Sequence, residues 1–206
     1  AAERLGQLAH DETGYGHPQH KKLKNITGSK LVWESIRAEK TVGVINQDAQ
    51  KRVTEIAWPI GVIAALVPST NPTSTTLYKA LIAIKARDAI VFAPHPSAAR
   101  CTYETAKVMA EAAEKAGAPK GLIACMQHIS LEGTQALMTH KRTALILATG
   151  GTPMVRAAHS TGKPAYGVGP GNVPVYVDRS AYVAKAARYI VASKAFDCST
   201  ICATEQ

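Results

Sequence analysis

The chain has 206 residues, 46% of them hydrophobic and 19% charged, with a formal net charge of +9 at neutral pH. An apolar fraction of that size supports a buried core and excludes a disordered chain. No apolar run reaches the ~18 residues that a membrane helix needs, and the first residues lack the charged-then-apolar layout of a secretory signal.

The positive charge is scattered. Its densest run is Lys21-Lys22-Leu23-Lys24, and aromatic residues make up only 5% of the chain. With no stacking platform beside clustered base, neither a nucleic-acid partner nor a membrane is indicated. Solvated surface accounts for the charge, with attraction of phosphate-bearing small molecules as the functional alternative. The four cysteines, Cys101, Cys125, Cys198 and Cys202, are too few for a disulfide framework in a chain this long. They fit a reducing, cytoplasmic setting. Cys198 and Cys202 stand four apart, but no second Cys/His pair with zinc spacing accompanies them, so no metal site is expected.

Residues 1–13 read as the tail of an amphipathic helix ending near Gly14 and Gly16, and residues 15–40 as polar and irregular. Thr41–Ile45 and Val53–Trp58 are β-rich runs around a polar Asn46-Gln47-Asp48-Ala49 turn, which predicts a hairpin. Its exposed edges would be covered by pairing with another subunit, giving a homo-oligomer.

From residue 61 the rhythm changes. Apolar strand-like runs at 61–67, 89–93, 121–126 and 143–148 alternate with helical patterns at 72–86, 97–117, 131–140 and 152–161. Such alternation predicts right-handed βαβ units and an α/β fold with a doubly wound, mostly parallel sheet. Leu77, Leu81 and Ile84 form one helical stripe; Cys101, Thr105, Val108, Met109, Ala112 and Ala113 form another. Cys101 and Cys125 are therefore expected in the core. The expected organisation is a helix tail, irregular segment and hairpin over 1–60, a dinucleotide-binding α/β domain over 61–195, and the start of a further domain over 196–206. Both ends are expected to be cut, because the chain begins in mid-helix without Met and stops just past Cys202.

Ligands of a doubly wound sheet collect at the carboxyl ends of its strands. Four unusual segments fall there: Pro68-Ser69-Thr70-Asn71-Pro72, Pro94-His95-Pro96, Thr149-Gly150-Gly151-Thr152, and 167–171. Asn71-Pro72 is a strong helix start, and the Asn71 amide could serve as the cap or as a donor toward a developing oxyanion. Beside Ser69, Thr70 and a candidate nucleophile, the donor role is favoured. Gly150-Gly151 opens a helix whose bare N–H groups suit phosphate, or is a plain Gly-rich turn, since the spacing is not G-x-G-x-x-G. Gly167-Val168-Gly169-Pro170-Gly171 is either a tight turn between strands or a bare backbone leaving room for a flat ring or a reacting carbon. His95 could contact a ribose or phosphate, or cap the next helix. Cys202, flanked by small polar residues, reads as a nucleophile that must act as its thiolate; Cys198 is expected to pack, with a second thiol in the same loop as the alternative.

Pro68–Thr75, Val91–Pro96, Leu145–Gly151, Gly162–Gly169 and Phe196-Asp197…Ile201-Cys202-Ala203-Thr204-Glu205-Gln206 together resemble the CoA-acylating aldehyde dehydrogenases, across essentially the whole chain and in order. These include the aldehyde half of bifunctional aldehyde–alcohol dehydrogenases and the enzymes of ethanolamine and propanediol breakdown. The resemblance implies that Cys202 attacks an aldehyde carbonyl and that Asn71, with the Cys202 N–H, forms the oxyanion hole. Hydride then passes to NAD, and CoA, the co-substrate, takes the acyl group. It implies cofactor contacts at Leu66, Val67, Pro68, Ser69, Thr70, Asn71, Gly150, Gly151 and Gly169, and Pro94, His95, Pro96, Thr152, Gly167 and Val168, on the same strand-end loops, are expected to contact the cofactor beside them. Hydrolytic relatives place a water-activating glutamate where this chain has Gly167, so a thiol acceptor is favoured over water. Their ribose-holding Lys and Glu are Ala93 and Pro96 here. Cys198-Ser199 replaces the more usual Asn-Gly or Asn-Asn before the nucleophile. The resemblance implies that the remaining catalytic domain would lie beyond Gln206, so the isolated chain is expected to have little activity. Rival readings are a hydrolytic or phosphorylating semialdehyde dehydrogenase and an inactive dinucleotide-binding fragment. Acetaldehyde is the default substrate and NAD the expected cofactor; association with a bacterial microcompartment is left open.

Overall fold

The structure is a computed structural model that describes residues 1–202. Ala203–Gln206, the end of the segment that carries Cys202, lie outside the described residues.

Helix α1, Ala2–Thr13, ends where Gly14 takes a left-handed conformation and bonds back to His10, the end expected from the glycines. The following segment is not irregular. Pro18 opens helix α2, Pro18–Ile26, which widens through a π-helical stretch, Thr27–Leu31, and continues as α3, Val32–Ile36. The buried positions of α2 are Lys21, Lys24 and Asn25, polar residues with no hydrophobic period to betray a helix.

Strands β1, Gly43–Asp48, and β2, Val53–Ala57, form the expected antiparallel hairpin, with the turn displaced to residues 49–52. Val44, Ile45, Val53 and Ile56 stay exposed along it, and Trp58 just past it is 84% exposed.

The α/β unit follows the predicted rhythm closely. Strands β3, Val62–Val67; β4, Ala89–Pro94; β5, Ile123–Cys125; β6, Thr143–Thr149; and β7, Ala165–Val168, make one parallel sheet in the order β5-β4-β3-β6-β7. The chain thus starts at the centre, winds to one edge, and returns across β3 to the other, leaving a switch point between β3 and β6. Alternation along the central strand divides the core. Ile63, Ala65 and Val67 pack with Ala80 and Ala83 of α4, Pro72–Lys85, and Ala106 of α5, Ala99–Lys115. Ala64 and Leu66 pack with Met138 of α6, Leu131–Thr139, and Ala158 of α7, Thr152–His159.

Two stripes needed adjustment. α4 buries Thr73, Thr76, Leu77, Ala80 and Ala83, leaving Leu81 half-buried, and Ala112 of α5 is exposed. Cys101 is fully buried, whereas Cys125 is only partly so. α1 and α2 lie outside α4 and α5 on the same face, with Leu5 and Ala9 buried there. After β7 the chain runs without regular structure to α8, Val183–Ala195, which buries none of its side chains, and then a short 3-10 turn, Phe196–Ser199.

Candidate active site

The carboxyl ends of β3, β4, β6 and β7 open onto one cavity of about 420 Å³. Its wall is built from Pro68–Asn71, His95, Thr149–Gly151, Val168–Gly171 and Ser199–Cys202. All four segments singled out at strand ends therefore meet the cysteine loop at one place. An adjoining cavity of about 380 Å³ shares Pro68, His95, Thr149, Gly150 and Gly151 and continues along Leu66, Val67, Pro94, Pro96 and Met154.

Two expected contacts line neither cavity. Thr152 is the first residue of α7 and sits behind the glycines. Gly167 is turned toward α7: a β-carbon there would fall 2.4 Å from Val155 Cγ1 and 3.0 Å from His159 Nε2. Its missing side chain serves strand–helix packing rather than room for a ring. Gly169 has nothing within 4 Å of such an added carbon and does leave that room. Of the two readings of His95, the structure shows the cap. Its Nδ1 accepts from Ser97 N at 3.2 Å, capping the short turn Pro96–Ala98, while the residue lines both cavities.

Cys202 is exposed on the main cavity, and Cys198, expected to pack, is exposed as well. Burial pushes the thiol of Cys125 up to about 12 and that of Cys101 higher still, so both are inert at neutral pH.

Asn71 occupies the N-cap position of α4 but makes no side-chain cap bond. Its Oδ1 instead accepts from Lys24 Nζ at 2.5 Å, and its Nδ2 donates to Thr70 Oγ1 at 3.2 Å. Lys24 also donates to the Thr200 carbonyl at 3.0 Å and to Asp197 Oδ2. Asp197 is fully buried. Its Oδ1 accepts from His17 N at 2.8 Å, and its Oδ2 from Thr200 Oγ1 at 2.8 Å and, at 3.6 Å, faces Lys21 Nζ. Lys21 in turn donates to the Thr70 carbonyl at 3.0 Å. Gly16 has to be glycine here, because a β-carbon would come within 2.0 Å of Asp197 Oδ1.

Burial pulls both ammonium groups below the usual lysine range, and the charge and hydrogen bond of Asp197 oppose that. Burial pushes the Asp197 carboxyl the other way, yet donors from Lys24, His17 and Thr200 outweigh it and hold it below the usual carboxylate range. Two ammonium groups against one carboxylate leave one unit of positive charge beneath the loops that carry Asn71 and Cys202. Lys21 and Lys24, expected from the scattered charge to be solvated surface, are buried, and Asp197, read only as part of the cysteine-loop motif, is what they face. The available signal was the polar spacing Lys21, Lys24, Asn25, Gly28, one face of a helix.

The model of the aldehyde dehydrogenase family matches residues 2–205. The chain belongs to that family. It is 48% identical over 202 residues to aldehyde-alcohol dehydrogenase 2 of Entamoeba histolytica, covering 98% of this chain and 23% of that protein. It superposes on an acetylating aldehyde dehydrogenase from Geobacillus thermoglucosidasius with a TM-score of 0.96 and 58% identity, covering 99% of this chain and 45% of the other. A propionaldehyde dehydrogenase from Rhodopseudomonas palustris, solved with bound CoA and an acylated cysteine, matches with a TM-score of 0.83 and 33% identity over 98% of this chain and 46% of its own. The chain thus spans about a quarter of such a curated relative and under half of the solved structures. As an aldehyde dehydrogenase segment it holds the doubly wound domain together with the loop of Cys202. Among the described residues no helix is long and apolar enough to cross a membrane, and no group of three His, Cys, Asp or Glu could hold a metal ion.

Proposed function

We propose that the protein carrying this chain is an NAD-dependent, CoA-acylating aldehyde dehydrogenase for a short aliphatic aldehyde. The observation that carries the reading is the meeting of Cys202, Asn71 and the bare Gly150, Gly151 and Gly169 turns around one cavity. A backbone without side chains at a switch point fits a dinucleotide, and the two adjoining cavities offer it an extended berth.

The Cys202 thiolate adds to the aldehyde carbon, forming the C–S bond and placing negative charge on the former carbonyl oxygen. The N–H of Asn71 Nδ2 not given to Thr70 Oγ1 and the surplus buried positive charge stabilise that oxygen as its charge develops. When bound, NAD would supply the two-electron hydride acceptor: the carbon's C–H bond breaks as its C=O bond re-forms, and a thioester is left on Cys202. The thiolate of CoA then attacks the thioester, the Cys202–carbon bond breaks, and Cys202 leaves as thiolate, ready for another cycle. Position 167 is glycine, so no carboxylate stands there to activate water, which supports a thiol as the acyl acceptor.

The apolar residues left bare on the β1–β2 hairpin support assembly of several copies through that element. A reducing compartment such as the cytoplasm keeps the four free thiols intact. The reading is tested with the full-length protein, aldehyde and NAD, with and without CoA, following NADH and acyl-CoA. CoA-dependent turnover with stoichiometric acyl-CoA is expected; sustained NADH formation and free acid without CoA would sink it.

A further inference from the structure

We propose that Lys24 is the positioning residue of the oxyanion site. Its buried ammonium fixes which way the Asn71 amide faces and ties that amide to the loop carrying Cys202. The inference rests on the roles given above to Asn71 and Cys202.

An ammonium group has three N–H donors and no acceptor, whereas an asparagine amide presents an acceptor on one side and donors on the other. Lys24 is 7% exposed and spends its donors on Asn71 Oδ1, Asp197 Oδ2 and the Thr200 carbonyl. With the cation against Oδ1, a flipped amide would set two N–H groups against three others. The flip is closed, so Nδ2 must face away from Lys24. One of its hydrogens goes to Thr70 Oγ1 at 3.2 Å, and the other is left for the cavity that Asn71 shares with Cys202.

An asparagine at an N-cap ordinarily spends its oxygen on the first N–H groups of the helix. Asn71 makes no such bond, so the usual reason for its orientation is missing and the cation supplies it. The same cation reaches forward in sequence to Asp197 and Thr200, five and two residues before Cys202. One side chain on an outer helix thereby sets the separation between the oxyanion donor and the nucleophile. Lys21 performs a supporting task, holding the Thr70 carbonyl while it faces the same Asp197 oxygen.

A merely structural clip would show the same contacts, so the test must separate positioning from folding. Lys24→Met alone lowers the buried charge by one and takes from Asp197 the nearer of its two cations, leaving only Lys21 at 3.6 Å; replacing Asp197 as well keeps the net charge of the cluster unchanged, and Lys21 retains the Thr70 carbonyl. The variant to make in the full-length protein is Lys24→Met/Asp197→Asn. Asn71→Ala is made in the parent and in that background.

Three readouts are taken: the single-turnover rate of NADH formation with saturating aldehyde and no CoA, the rate at which iodoacetamide alkylates Cys202 (by peptide mass spectrometry), and the thermal midpoint. Alkylation forms no oxyanion and responds only to the thiol and its access. Loss of an oxyanion donor costs about 100-fold or more, so the double variant is expected to slow NADH formation by tens of fold to about 100-fold while alkylation changes by less than about 2-fold. In that background Asn71→Ala adds less than about 3-fold, against about 100-fold in the parent, because the two act through one group.

An unchanged rate in the double variant, losses that multiply independently, or alkylation that falls in parallel would each overturn the positioning role. If Asn71→Ala in the parent has no effect, the oxyanion reading itself is what fails, and the inference falls with it.

Discussion

Gly171 lies directly against Cys202: a β-carbon at 171 would stand 2.2 Å from the Cys202 carbonyl oxygen and 3.4 Å from its Cβ. The segment after β7 therefore does more than bare its backbone to the cavity. At Gly169 the missing side chain leaves open space, but at Gly171 it admits the main chain of the cysteine loop. Gly171→Ala has no cheap relief, since the atom it meets is backbone. The expected outcome is displacement of Cys202 and a loss of NADH formation of at least about 100-fold, in line with the cost of misplacing a reacting group by an ångström. Gly169→Ala is expected to act through cofactor affinity instead, raising KM for NAD more than it lowers kcat. Steady-state kinetics of both variants check the contrast, which equal effects on kcat would refute.

The four cysteines divide by environment. Cys198 and Cys202 are exposed, while burial pushes Cys125 to about 12 and Cys101 higher. Iodoacetamide at neutral pH is expected to label Cys202 and Cys198 in the native protein and to spare the other two until it is unfolded. Saturating NAD should slow labelling of Cys202 more than that of Cys198, because only the former lines the cavity. Peptide mass spectrometry over a time course provides the measurement, and early modification of Cys125 would contradict the packing described for β5.

The α/β unit was legible because its strands are nearly continuous apolar runs, such as Val62–Val67 and Thr143–Thr149, bounded by turn residues and separated by helices of matching length. Once those strands were ordered, the site followed from topology, since Pro68–Asn71, His95, Gly150-Gly151 and Gly169 all fall at carboxyl ends. Residues 18–36 were illegible for the opposite reason. α2 buries Lys21, Lys24 and Asn25, and what satisfies Lys24 is Asp197, 173 residues away. Hydrophobic period is blind to a polar face whose partners arrive from the far end of the chain. Asp197 was legible only as part of the cysteine-loop motif, because the cation that meets it, Lys24, lies 173 residues away.

Lys79 carries a pH dependence. Fully enclosed in α4, it donates to the carbonyls of Leu66 and Leu147, each at 2.8 Å, bridging the ends of β3 and β6 where the switch point lies. Burial pulls its ammonium down to about 7. In the unfolded chain the same group keeps its proton to roughly pH 10. Between about pH 7 and 10 the unfolded state therefore binds more protons than the folded one, and stability rises with pH; below about 7 both states are charged and the slope vanishes. Lys79→Met should lower stability throughout, by losing both bonds, and should also flatten that rise. Urea unfolding of parent and variant across this range checks it, and parallel pH curves for the two would disprove the assignment.

The run before the nucleophile offers a stabilising change. Asp197, Cys198 and Ser199 all have left-handed backbone, with φ of 50°, 54° and 61°. Asp tolerates this region, but a cysteine and a serine adopt it at a cost of about 1 kcal/mol each. The conformation is imposed from both sides, by Asp197 bonding back to Lys24 and by Ser199 Oγ donating to the Lys194 carbonyl at 2.7 Å. Glycine at 199 removes the Cβ penalty and forfeits that one exposed hydrogen bond, while adding some entropy to the unfolded chain. The balance favours Ser199→Gly by roughly 0.5 kcal/mol, and Cys198→Asn, with a residue at home in this region, by a similar amount. The two together should raise the thermal midpoint by about 2 °C or more without moving the alkylation rate of Cys202. Scanning calorimetry settles the stability, and a lower midpoint in Ser199→Gly would mean that the hydroxyl, rather than the backbone, holds this turn.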